Sequence, residues 1–207
     1  MNRSRFPFVP FIPFFLFVIL ACSLPTSLPK IEIPSLQTRA AASATASGDS
    51  KVGSGPVVAS AQTAQDIIEK NPDIKILEQL AKESYNTDEL SQAGKTYTFT
   101  VTINKEQNLV MLNGWCATTQ AILRDNFKHI TMEFSVNGTP IDDKLILVSE
   151  REDSGGLFCR SFFVVVYGWP KGKTELQVAV TFDSTINDGI GDYPKGTHYY
   201  KYVVTYQ

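Results

Sequence analysis

The stretch Tyr97-Thr98-Phe99-Thr100-Val101-Thr102-Ile103 alternates apolar side chains with threonine without a break. In an extended chain, successive side chains point to opposite faces. Tyr97, Phe99, Val101 and Ile103 therefore share one side of a predicted strand. Three later stretches repeat the pattern. They are Ile130, Met132, Phe134 and Val136; Leu176, Val178, Val180 and Phe182; and Tyr200, Tyr202, Val204 and Tyr206. Phe158–Tyr167 is instead almost continuously apolar, as expected for a central strand covered on both faces. Asn137-Gly138 is a hairpin signal. Lys95–Gln207 is thus predicted to form a mainly β, antiparallel sandwich of about seven strands.

Within that domain, Thr118–Lys128 breaks the alternation and predicts a helix crossing between the sheets, capped by Thr118 or Thr119. Trp169-Pro170-Lys171-Gly172 and Tyr193-Pro194-Lys195-Gly196 each set an aromatic before Pro-Lys-Gly. They read as one repeated turn device, or else as an aromatic platform for a ligand. The pattern resembles immunoglobulin-like domains, in architecture only.

Upstream, residues 63–94 read as a helical segment. Asn71-Pro72-Asp73 marks a second helix start, and Ile76, Leu77, Leu80 and Ala81 form an apolar face. That face is expected to dock on the sandwich; the alternative is an exposed helix that recruits a partner. Residues 22–62 are rich in Ala, Ser, Thr, Gly and Pro and show no apolar period. Such a stretch cannot offset its chain entropy and is predicted to be an unfolded tether.

Residues 1–21 read as a signal peptide. Arg3 and Arg5 precede the apolar run Phe6–Leu20, and Ala21-Cys22 follows. The run is too short to span a bilayer, which needs about 20 residues. Ile19-Leu20-Ala21-Cys22 resembles the lipobox of bacterial lipoproteins. The resemblance implies cleavage before Cys22, diacylglycerol on its thiol and acylation of the new amino end. Two or more acyl chains anchor stably where one does not. The competing reading is an ordinary signal peptide with an incidental Cys22. The implied location is the cell membrane or outer membrane, lipid-anchored and facing the periplasm or exterior. Ser23 in place of aspartate favours the outer membrane, again by resemblance.

Cys116 and Cys159 are the other two cysteines. In an exported protein they are expected to pair. The bridge would contribute about 4 kcal/mol in the chain-entropy model. Trp115 is expected to pack on it; a redox-active pair is the rival reading. Without residues 1–21 the formal charge is −4, from 17 basic and 21 acidic residues. The basic residues are not clustered, so nucleic acid is not an expected partner.

No nucleophile elbow, phosphate loop or zinc motif occurs, so no catalytic residue, metal or cofactor is assigned. Asp183, Asn187, Asp188 and Asp192 lie in one loop and offer oxygens for Ca²⁺, although Asp and Asn also simply favour turns. Candidate ligand loops are those of Trp115, Trp169, Asp188 and Asp192. The expected function is a membrane-anchored envelope lipoprotein carrying a non-catalytic binding or accessory module. Its partner would be an envelope protein or an extracellular ligand. The alternatives are a hydrolase acting on carbohydrate or peptide through paired carboxylates, and a mechanical brace within a larger complex.

Overall fold

A computed structural model describes residues 48–81 and 94–207. The signal segment, Cys22, the first part of the tether and the end of the helical segment lie outside the described residues.

The described chain begins with strands β1 (Ser50–Lys51) and β2 (Val57–Val58), helix α1 (Ala61–Lys70), strand β3 (Lys75–Ile76) and helix α2 (Leu77–Leu80). Then follow β4 (Thr96–Ile103), β5 (Leu109–Ala117), α3 (Gln120–Asn126), β6 (Ile130–Val136), β7 (Thr139–Pro140) and β8 (Leu147–Glu152). The last strands are β9 (Phe158–Tyr167), β10 (Gly172–Phe182), β11 (Ile186–Asn187), β12 (Asp192–Tyr193) and β13 (Gly196–Tyr206). One sheet runs β1-β2-β9-β5-β3, with β8 also on β9. The second runs β4-β13-β10-β6-β7, and β11-β12 forms a separate hairpin.

The two main sheets form the predicted sandwich, and the alternation explains its core. Phe99, Phe134, Leu176, Val178, Tyr202 and Val204 are buried between the sheets with Leu109, Met111, Val164 and Val166. Register brings Phe99 opposite Tyr202, and their rings stack at 4.7 Å. Each such side chain contributes about 1.5–3 kcal/mol relative to exposure. Two pairings are parallel, β4 with β13 and β3 with β5.

The continuous apolar run of β9 has a specific cause. Val164 and Val166 face the sandwich core, while Phe163 and Val165 face a second cluster with Ala64 and Ile68 of α1. Helix α1 thus covers the outer face of the first sheet and makes a third layer. Leu77 is fully buried, and Leu80 and Ala81 pack against the core, so the expected apolar face does dock.

Three expectations change. The tether predicted through Gln62 stops short, because Val57 and Val58 pair with Tyr167 and Val166 and extend the sheet. Tyr167 Oη donates to Asp49 Oδ2 at 2.5 Å, and Ser60 N donates to Asp49 Oδ1 at 2.8 Å. Hydrogen bonds to a distant strand leave no apolar period in the local sequence.

Helix α1 starts earlier than expected. Its cap is Ser60, whose Oγ accepts from Thr63 N at 3.3 Å. Asn71 ends this helix instead of starting the next. Lys75 and Ile76 then extend along β5, since a sheet edge offers them main-chain partners.

The disulfide Cys116–Cys159 is present as expected and joins neighbouring strands of one sheet. Trp115 does not pack on it. Adjacent residues of a strand face opposite ways, and Trp115 turns inward against Phe182 at 5.3 Å and Tyr193 at 4.7 Å. Helix α3 links the two sheets as expected, with Thr119 Oγ1 accepting from Ile122 N at 3.2 Å.

Candidate functional site

The β11–β12 hairpin is built around one carboxylate. Asp188 is only 8% exposed. Its Oδ1 accepts from Ile190 N at 2.7 Å and Gly191 N at 2.8 Å, and its Oδ2 accepts from Tyr193 Oη at 2.9 Å. Asn187 Oδ1 accepts from Gly189 N at 2.7 Å, and Asn187 Nδ2 donates to Asp192 Oδ1 at 2.7 Å. Asp188 N donates to Gly191 O at 3.3 Å. Every main-chain N–H from Asp188 to Gly191 is therefore satisfied inside the hairpin. Such a loop loses little entropy on meeting a partner.

Two other elements hold the hairpin. Thr118 N donates to Asp188 O at 2.8 Å, and Thr118 Oγ1 to the same oxygen at 3.3 Å. Asn126 of α3, itself buried, donates from Nδ2 to Asn187 O at 3.0 Å. At the tip stands Ile190, 54% exposed. Val148, at 37%, is the other large apolar residue so exposed among the described residues.

The sequence-derived candidates now have definite places. Asp188 is the internal organiser of the hairpin and Asp192 its exposed rim. Trp115 and Trp169 point inward and form no platform; Trp169 is buried, with Nε1 donating to Gln107 O at 2.9 Å. The four residues considered for calcium turn to other donors. Asp183 Oδ1 meets His129 Nδ1 at 2.8 Å, away from the hairpin network. Among the described residues, no group of three or more His, Cys, Asp or Glu is placed to hold a metal ion.

Among the described residues, the carboxylates with a displaced pKa are Asp49, Asp125 and Asp183, and each pKa is lowered. A hydrogen bond from His129 is the main cause at Asp183, and one from Lys128 at Asp125. At Asp49 burial opposes ionisation, but hydrogen bonds from Tyr167 and Ser60 outweigh it. A shallow depression of about 540 Å³ lies at the Tyr167 end of β9, away from the hairpin, lined by Asp73, Lys75, Lys105 and Glu106 among others. No helix among the described residues is long and apolar enough to cross a membrane.

Sequence reasoning singled out the Asp183–Asp192 loop but neither its hairpin pairing nor its tip. Ile190 was legible as the one apolar residue between Gly189 and Gly191, inside a run of Asn and Asp. Thr118 and Asn126 carried no local signal, because their role depends on contacts 70 and 61 residues away.

No protein-family model matches the chain, and no curated protein matches it. Among solved structures, the solution structure of amebosin is 16% identical, covering 52% of this chain and 88% of that one, with a TM-score of 0.27. The crystal structure of the cysteine protease inhibitor EhICP2 from Entamoeba histolytica is 11% identical, covering 52% and 85%, with a TM-score of 0.20. Likeness at this level carries no functional argument.

Proposed function

We propose that the chain is a bacterial envelope lipoprotein, fastened through Cys22, whose sandwich meets a protein partner with the Ile186–Tyr193 hairpin. The polarity of the sandwich carries this reading. The described chain enters at Asp49 and Ser50, beside Tyr167 at one end of β9. The hairpin rests on Thr118, beyond the other end, where Cys159 lies. The strand from Cys159 to Tyr167 spans about 26 Å. An anchor upstream of Asp49 therefore joins the sandwich at the end opposite the hairpin and leaves the hairpin clear of the attachment point.

The partner this suits is an envelope or extracellular protein offering an apolar pocket to Ile190. Glycine on either side of Ile190 lets main chain approach closely. A non-catalytic role is in keeping with the lowered pKa of Asp49, Asp125 and Asp183, since a carboxyl that serves as general acid is raised instead.

Two measurements test the reading. Cys22→Ser should move the chain from the membrane fraction to the soluble fraction; retention in the membrane rejects the anchor. A photoreactive residue at position 190 should give one discrete protein adduct in intact envelopes, and one at exposed position 133, on the outer face of β6, should not. No adduct at 190, or equal labelling at both positions, rejects the hairpin as the contact.

A further inference from the structure

We infer that the Cys116–Cys159 disulfide is a reducible clasp that sets the order of the recognition hairpin. The inference rests on the reading that this hairpin is the contact surface, and it adds how that surface is regulated. Cys116 and Cys159 form the penultimate rung of the β5–β9 ladder; only Ala117 with Phe158 follows. Thr118 is the next residue, and its N–H and hydroxyl both hold Asp188 O. Gly189 is pressed so close to Thr118 that a Cβ there would stand 1.8 Å from Oγ1. The end of β5 thus carries the hairpin directly.

The two strands differ in support at that rung. Cys159 also pairs with Arg151 of β8, so β9 is held on both edges. Among the described residues, β5 is paired on its other edge only at Leu109 and Val110. Opening the bridge therefore frees the end of β5 before that of β9.

The sulfurs lie on the outer face of the sheet, where the neighbouring rung is Gly114 with Ser161. Cys116 is half-buried whereas Cys159 is buried, so Cys116 is the half of the bridge nearer to solvent and the one a reductant meets first. The reductant is a dithiol. Its thiolate attacks Cys116 Sγ, forming a mixed disulfide and expelling Cys159 as thiolate. Its second thiol then attacks the mixed disulfide, releasing Cys116 as thiolate. The dithiol leaves as its own disulfide after transfer of two electrons, and both cysteines take up protons according to pH.

The test uses the purified full chain labelled with ¹⁵N, in oxidised and in reduced dithiothreitol. Backbone order parameters are read at Ile190 and Gly191, with Ile68 of α1 and Val178 of β10 as references. Reduction should lower the hairpin values from about 0.85 to below about 0.6, while the references stay near 0.85. The double variant Cys116→Ser, Cys159→Ser should match the reduced protein whatever the dithiol. Unchanged hairpin values overturn the inference, and so does loss of order at the references together with the hairpin. The readout needs no partner, so it stays separate from failure of the cross-linking test at position 190.

Discussion

A Cβ on Gly189 would stand 1.8 Å from Thr118 Oγ1 and 2.9 Å from Thr118 Cβ, on a backbone with φ of +94°. Both facts demand glycine, one by contact and one by conformation. Gly189→Ala should destabilise the domain by about 2 kcal/mol or more, from strain at positive φ plus the overlap. Adding Thr118→Ala should recover part of the loss, since the closest atom belongs to the threonine hydroxyl. Urea unfolding of both single variants and the double variant reads the coupling. Simple additivity would rule out this contact as the cause.

The N-terminal hairpin depends on Asp49 and Tyr167. The bond to Asp49 pushes the Tyr167 hydroxyl up to about 12. A raised folded pKa means a contribution present in full below pH 10 and lost as pH rises from 10 to about 12. The lowered Asp49 pKa has the opposite sense: its contribution is present above the unfolded value of 3.8 and fades as pH falls through the folded value. Asp49→Ala should cost about 1 kcal/mol, discounted for solvent exposure. Limited proteolysis should then cut within residues 50–58 faster than in the parent protein. An unchanged digestion pattern would show that Asp49 does not fasten this segment.

His198 gives the domain an acid-sensitive side. It is 4% exposed, lies beside Phe182 at 5.3 Å, and neither ring nitrogen has a hydrogen-bond partner among the described residues. Burial pushes its pKa below 6.5. Below pH 6.5 the unfolded chain binds more protons at this site than the folded one. Stability from His198 is therefore complete above 6.5 and declines as pH falls from there towards the folded value. His198→Leu should flatten that part of the profile. Urea midpoints between about pH 7.5 and about pH 5 measure it, and parallel profiles for both proteins would disprove the assignment.

Much of the sandwich was readable from local pattern. The alternation in β4, β6, β10 and β13 named the inward residues, and the buried set agrees at Phe99, Phe134, Val178 and Tyr202. The same period of two already implied that Trp115 and Cys116 face opposite ways, so the expectation that they pack together ran against a rule the sequence itself carries. The cap at Thr119 was equally local.

What the residues determined alone was the face each side chain takes, because periodicity acts over a few neighbours. Tertiary structure decided which strands became neighbours. It set the cystine within one sheet, drew Val57 and Val58 onto β9, and turned Asp188 from a possible ion ligand into the internal support of Ile190. Those outcomes rest on main-chain hydrogen bonds and contacts between residues far apart in sequence. Such partners leave no period and no motif, and become visible only once the two sheets have packed.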